Sequence, residues 1–162
     1  MSYIDLIKEK AKADRKTIVL PETNDKRTLI AAARIMQEKI ADIIMVGNEE
    51  KIMDGARWLE VELDDVTVID PEKYEKFDEY VQLLYETRKS KGMTLEKAEE
   101  ILKTDYLTFG VIMVKANDAD GMVAGACHAE RRIRILEEFG ANVTVISPEI
   151  SQQTRYSRLL AA

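Results

Sequence analysis

The sequence has few of the features that mark secreted or membrane proteins. Among its 162 residues there is one cysteine, Cys127, which excludes an internal disulfide and fits a reducing compartment. Its longest apolar run is too short to span a bilayer, and the N-terminal residues lack the apolar core of a signal peptide. We therefore expect a cytoplasmic protein without a membrane partner.

A basic surface is missing as well. The chain carries 24 lysines and arginines against 30 aspartates and glutamates, which gives a net charge of −6. A protein that binds nucleic acid needs a cationic face to neutralise phosphates, and this sequence has no basic run to build one. We expect no nucleic-acid partner.

Residues for metal or nucleophilic chemistry are scarce. The single histidine, His128, follows Cys127 directly, and one cysteine with one histidine cannot hold a metal without several suitably arranged carboxylates. Adjacent residues also rarely face each other as nucleophile and base, and no third orienting group is visible. We predict a small buried thiol and a turn histidine, with a catalytic dyad as the alternative, and we assign no metal and no catalytic residue.

What the sequence does contain is an alternation of β-branched apolar runs and helical periodicities. The strand candidates are TIVLPE (17–22), ADIIMVG (41–47), VTVID (66–70) and the two ends of the stretch 119–147. The longest helical periodicity covers residues 72–90. Strands separated by helices pair in parallel through right-handed crossovers. The pattern predicts one α/β unit, a three-layer sandwich with a mostly parallel sheet.

Three local features sharpen this prediction. Thr23 or Asn24 is expected to cap the helix that follows the first strand, and Thr94 a later one. Gly110 lies inside an apolar helix, where glycine costs about 1 kcal/mol relative to alanine. That cost indicates close packing against Gly110.

In open α/β sheets, ligands bind beyond the carboxyl ends of the strands, where helix N-termini favour anions. Two turns are suitable here, residues 20–28 and 125–132. In the first turn, Arg27 could hold an anion through two parallel hydrogen bonds. Arg88 belongs to a cationic last helical turn, which the helix dipole favours in any case. Solvated surface arginines are the alternative at both positions.

Five long, co-linear stretches carry a resemblance to a known family. They are KTIVLPETNDKRTLIAAARI, IADIIMVGNEEKI, VIDPEKYEKFDEY, YETRKSKGMTLEKAEEIL and DYLTFGVIMVKANDADGMVAGACH. Through them, residues 1–128 resemble the N-terminal part of phosphate acetyltransferases (phosphotransacetylases).

The resemblance implies a fold, a reaction and site residues. Members convert acetyl phosphate and coenzyme A to acetyl-CoA and phosphate, in a cleft between two α/β domains of the isocitrate/isopropylmalate dehydrogenase-like type. Coenzyme A is then a substrate, and no cofactor is expected. By resemblance, Arg27 and Arg88 match arginines that line the cleft and contact anionic substrates. A third family arginine falls at Ile135, so we name the adjacent Arg134 as the third substrate-binding candidate.

After His128 the sequence departs from the family pattern. The hydroxyl-bearing turn of the family is replaced by Ala129 and Glu130, and a glutamate opposes anion binding. The second half of the family chain has no counterpart in these residues. We therefore expect a truncated homologue that is weakly active or inactive alone. The alternative is a non-catalytic anion-binding or interaction module, with a homo-oligomer left open.

The tail has a likeness of its own. Residues 129–150 are similar to the first βαβ unit of the NAD-binding domain of precorrin-2 dehydrogenases, which makes a nucleotide-binding fragment the third hypothesis. The net charge is −7 before the junction at His128 and +1 after it. We divide the chain into 1–128, the transferase-like region, 129–150, a Rossmann-like continuation, and 151–162, a frayed end.

Overall fold

The computed structural model describes residues 2–125 and 144–145. The helices are α1 Tyr3–Ala13, α2 Lys26–Glu38, α3 Glu49–Trp58, α4 Phe77–Arg88, α5 Leu95–Thr104 and α6 Tyr106–Lys115. The strands are β1 Thr17–Leu20, β2 Asp42–Val46, β3 Thr67–Ile69, β4 Gly121–Ala124 and β5 Thr144–Val145. Two short 3-10 turns, Pro71–Lys73 and Lys89–Lys91, precede and follow α4.

The strands form one parallel sheet in the order β3-β2-β1-β4-β5. Central strand β1 pairs on both sides, so that Ile18 lies between Ile43 of β2 and Gly121 of β4. The chain moves outward from β1 through β2 to β3 and then returns to the other side of β1. The order therefore reverses between β1 and β4. The predicted parallel α/β sheet is confirmed.

Helices cover both faces of the sheet. In β2, Ile43 and Met45 pack with one layer while Ile44 and Val46 pack with the other, because successive side chains of a strand point to opposite faces. The first layer contains α2 and α3 and buries Leu29, Ala32, Ile52 and Ala56. The second contains α4, α5 and α6 and buries Tyr80, Leu84, Leu102 and Phe109. This is the expected three-layer sandwich.

The predicted cap of α2 was wrong by one or two positions. Asp25 is the cap, and its carboxylate accepts a hydrogen bond of 2.8 Å from the backbone N–H of Arg27. Thr23 is buried instead, and its hydroxyl donates to the carbonyl oxygen of Val46 at 3.0 Å. The later cap, Thr94, is confirmed, because its hydroxyl accepts a hydrogen bond from the N–H of Lys97.

The periodic stretch 72–90 forms a helix only from Phe77 onward. Pro71 opens a 3-10 turn, and Tyr74 has an extended backbone with ψ 127°. Its ring nevertheless lies 5.4 Å from the ring of Tyr80 and 5.8 Å from that of Phe109, between centroids. Tyr74 therefore matches the helical periodicity because it packs into the same core, although it lies outside the helix.

Close packing at Gly110 is confirmed. A Cβ atom built there would lie 2.7 Å from the sulfur of Met122 and 3.1 Å from a methyl carbon of Val19. Both distances are shorter than normal carbon contacts. Helix α6 can approach the sheet this closely because residue 110 has no side chain.

Helix α1 lies outside the two layers. It buries none of its residues, and an ion pair between Lys8 and Glu38 links it to α2. Its large apolar side chains are exposed, namely those of Tyr3, Ile4, Leu6 and Ile7. Over residues 2–125 and 144–145, the helices are too short or too polar to cross a membrane.

Candidate functional site

The point where the strand order reverses lies between β1 and β4. At their carboxyl ends, the side chain of Glu22 and the backbone of Gly125 meet. The N–H of Gly125 donates a hydrogen bond of 2.8 Å to Oε2 of Glu22. A reversal of strand order opens a crevice at this edge, and open α/β sheets place their ligands there. This edge of the sheet is the candidate site, and we call it the β1–β4 edge.

Glu22 was missed by the sequence analysis. It follows Pro21 directly after a buried strand, which is a position typical of site residues in such sheets. Nothing local shows that residue 125 is its partner. The pairing depends on β4 returning to lie beside β1, and residue spacing does not encode that.

Arg27 is the second residue of α2, the helix that follows β1. Its Nε lies 3.1 Å from each carboxylate oxygen of Asp25, and its Nη2 lies 2.6 Å from Oδ2. The Asp25 side chain is 10% exposed, whereas that of Arg27 is 68% exposed. Asp25 therefore caps the helix and orients a guanidinium group that solvent can reach.

This arrangement is suited to binding an anion. The first turn of a helix presents backbone N–H groups and a partial positive charge, and the Arg27 guanidinium adds a full one. The carboxylate of Asp25 competes for the same cation. An incoming phosphate or carboxylate would share Arg27 with Asp25, which reduces its affinity for the anion.

Gly47 directly follows β2, the strand next to β1. A Cβ atom on Gly47 would lie 2.7 Å from Oγ1 of Thr23 and 3.2 Å from Cε2 of Tyr106. Burial raises the pKa of the Tyr106 phenol, and the negative charges of Asp70 and Glu72 raise it further. The phenol therefore stays protonated near neutral pH.

A groove of about 350 Å³ opens between α2 and α3. We call it the α2–α3 groove. It is lined by Thr23, Asn24, Lys26, Leu29, Asn48, Lys51, Ile52, Gly55, Trp58, Leu59 and Tyr106. The two charged residues that line it are both lysines.

Arg88 lies on a different helix. It ends α4 and lines a second groove of about 220 Å³ with Lys91, Lys97 and Glu100. This groove shares no lining residue with the α2–α3 groove. The helical hairpin of α4 and α5 thus carries Arg88, whereas α2 carries Arg27. Their roles in substrate binding stay predictions.

Several predicted features fall outside the described residues. These are Cys127, His128, Arg134 and most of the stretch 129–150, with β5 as its described part. β5 lies within the sequence NVTVIS and pairs in parallel with β4, as expected. In the part of the chain that the structure describes, no group of three or more His, Cys, Asp or Glu residues is placed to hold a metal.

Comparison with known proteins gives one consistent family. The family model for phosphate acetyl/butaryl transferase matches residues 2–138. A phosphate acetyltransferase of Thermoanaerobacterium thermosaccharolyticum is 50% identical over 129 residues, which is 80% of this chain and 38% of that protein. One from Treponema pallidum is 33% identical over 158 residues, 97% of this chain and 45% of that protein.

A solved structure indicates the same family. A phosphotransacetylase from Streptococcus pyogenes superimposes with a TM-score of 0.77 at 36% identity, over 86% of this chain and 43% of that one. The chain therefore spans less than half the length of these relatives. The family match extends past His128, and the junction proposed there stays a prediction.

Proposed function

The chain belongs to the phosphate acetyl/butaryl transferase family, and from this premise we propose that it serves acetyl transfer between phosphate and coenzyme A. In that reaction the thiol of coenzyme A loses its proton to a base, and its sulfur attacks the carbonyl carbon of acetyl phosphate. A C–S bond forms, the C–O bond to phosphate breaks, and phosphate leaves. Coenzyme A is a substrate here, and the proposal includes no cofactor.

The observation that carries the proposal is the exposed Arg27 guanidinium in the first turn of α2. Asp25 orients this guanidinium, and α2 follows β1, at whose carboxyl end open α/β sheets bind ligands. Acetyl phosphate, phosphate and coenzyme A are all anionic, and a fixed guanidinium suits them better than a flexible ammonium. We propose that Arg27 contacts a substrate phosphate.

Arg88 and Arg134 complete the proposed substrate contacts. Arg88 lines a groove that also contains Lys91 and Lys97, so a second anionic group could be held there. Arg134 enters through the family resemblance alone. A cytoplasmic location belongs to the same proposal, because the single cysteine fits a reducing compartment.

We further propose that these 162 residues furnish one wall of a two-walled site. The chain matches 38% of the length of a curated relative, and the resemblance places the site in a cleft between two domains. The base and the donors for the developing oxyanion would come from the other wall. Turnover by this chain alone is therefore expected to be weak or absent.

Two measurements on the purified chain test this proposal. We expect phosphate and acetyl phosphate to raise the midpoint of thermal unfolding, because a ligand that binds the native state stabilises it. Arg27→Gln should reduce this rise, while Arg57→Gln, at an exposed position on α3, should leave it unchanged. Robust acetyl-CoA formation by the chain alone would overturn the one-wall proposal, and an unchanged phosphate response in R27Q would overturn the role of Arg27.

An interaction module is the second candidate. Tyr3, Ile4, Leu6 and Ile7 expose apolar surface on α1, and contiguous apolar surface is typical of protein contacts. On this view the chain assembles with itself or another chain through α1. Sedimentation of the chain and of the variant Ile4→Ser/Ile7→Ser would decide it, since a monomer in both cases contradicts self-association.

A further inference from the structure

The α2–α3 groove combines two cations with an exposed aromatic ring. We propose that it binds a nucleoside diphosphate, with the phosphates against Lys26 and Lys51 and the base stacked on Trp58. This proposal does not depend on acetyl transfer. It concerns a groove on the α2–α3 layer and uses residues other than the three arginines assigned to the transferase substrates.

The two lysines have no partner among the residues that the structure describes. Within the described ranges, the ammonium groups of Lys26 and Lys51 have no ion pair or hydrogen bond, whereas those of Lys8, Lys76 and Lys103 are paired with carboxylates. Lys26 begins α2, and Lys51 is the third residue of α3. Both are therefore near the positive ends of helix dipoles, which favours a bound phosphate.

Acidic residues near the two lysines could reduce the positive charge that a phosphate would meet. Glu49 and Glu50 lie in the first turn of α3, and Asp25 caps α2. None of the three lines the groove, and Asp25 is engaged with Arg27. The charge inside the groove is thus that of Lys26 and Lys51.

Trp58 supplies the stacking surface. It is the only tryptophan in the sequence, and it is 77% exposed although tryptophan is usually well buried. An indole ring provides a flat apolar face on which any nucleobase can stack. Leu29 and Ile52 line the same groove and give the base an apolar floor.

The spacing along α3 fits a ligand with a charged end and an aromatic end. Lys51, Gly55 and Trp58 follow each other at i, i+4 and i+7, so they share one face of the helix. Lys51 and Trp58 are separated by about 10 Å along the axis. Gly55 lies between them, and a Cβ there would be 3.0 Å from Cδ1 of Leu29. Glycine thus keeps the middle of the groove open.

Because Trp58 is the sole tryptophan, its fluorescence reports directly on the groove. We expect ADP to quench it in a saturable manner, and adenosine alone or inorganic phosphate alone to do so much more weakly. Lys26→Gln/Lys51→Gln should raise the dissociation constant for ADP at least about tenfold, because two charge-assisted contacts are lost. Lys10→Gln, an exposed lysine on α1, is the matched control and should change nothing.

Trp58→Leu removes the reporter, so its ADP affinity is measured by calorimetry and should fall roughly fivefold or more. A competition experiment with coenzyme A then distinguishes two possible ligands, a free nucleotide and the nucleotide end of coenzyme A. Competition with ADP identifies the nucleotide end of coenzyme A as an occupant, and lack of competition identifies a free nucleotide. Absence of quenching by millimolar ADP, equal quenching by phosphate alone, or unchanged affinity in K26Q/K51Q would each overturn the proposal. These outcomes are independent of acetyl-CoA formation.

Discussion

The backbone N–H of Gly125 donates a hydrogen bond of 2.8 Å to the carboxylate of Glu22, across 103 residues of sequence. This contact joins the carboxyl ends of β1 and β4, where the strand order reverses. The carboxyl-end edge of the sheet is therefore held together by the side chain of Glu22, after β1, and the backbone of Gly125, directly after β4.

Glu22→Ala tests this contact. A hydrogen bond to a charged acceptor contributes about 1.5–3 kcal/mol, and we expect the free energy of unfolding to fall by roughly that amount or less, because the site is only half-buried. Urea denaturation measures the change. Glu62→Ala, at an exposed loop position, is the control. Equal unfolding midpoints for the two variants would show that the contact does not stabilise the edge.

Gly47→Ala separates steric from backbone effects. Gly47 has φ +150°, and an added Cβ would meet Thr23 at 2.7 Å. Gly92 has φ +80° but open space around its Cβ position, so Gly92→Ala incurs backbone strain alone. We expect a loss of about 1 kcal/mol for G92A and about 1–3 kcal/mol more for G47A. Thermal or urea unfolding measures both losses. A larger loss of stability in G92A than in G47A would contradict the steric explanation.

Asp118 should make stability depend on acid pH. Burial by itself raises the pKa of Asp118, but hydrogen bonds of 2.6 Å from both Lys76 and Tyr80, with the charge of Lys76, outweigh it and leave the pKa below its usual value. A lowered folded-state pKa means that the ionised group stabilises the fold above about pH 4. This stabilisation is lost as the pH falls through the folded-state pKa.

Asp118→Asn should therefore weaken the fold at pH 7 by roughly 1–2 kcal/mol and flatten the acid part of the stability profile. Some slope should persist, because hydrogen bonds from Lys8 and Arg34 hold the pKa of Glu38 at about 2. Unfolding midpoints between pH 2 and 7 measure the effect, with the exposed loop variant Asp64→Asn as control. An acid slope in D118N as steep as in the parent chain would contradict this account.

Asp25→Asn tests the competition at the start of α2. Asparagine caps helices as well as aspartate does, so the stability should change by only a few tenths of a kcal/mol. The negative charge beside Arg27 is removed, and an ion pair whose guanidinium is exposed to solvent contributes about 0.2–1 kcal/mol. We expect phosphate affinity to rise by up to about fivefold, measured by calorimetry. The gain should vanish in Asp25→Asn/Arg27→Gln, and a gain that survives there would exclude Arg27 as its cause.

Much of the fold could be predicted because its signals are local. β-branched runs mark β1, β2 and β3, and the apolar periodicity of α2 places Leu29 and Ala32 in the core. The glycine at position 110, inside an apolar helix, correctly predicted close packing there. The cap of α2 was mispredicted because Thr23, Asn24 and Asp25 are all good caps in sequence. Burial of Thr23 beneath β2 left that role to Asp25.

The sequence by itself determined the alternation of strands and helices, the parallel pairing and the family. Hydrophobic periodicity and co-linear motifs are local features, and they can be recognised without knowing which distant segments meet. The tertiary structure alone decided that Glu22 meets Gly125, that Arg88 shares a groove with Lys97 and Glu100, and that Lys26, Lys51 and Trp58 share another. Such groupings arise when distant segments pack together, and their contact depends on strand order and helix approach, which no spacing between residues specifies.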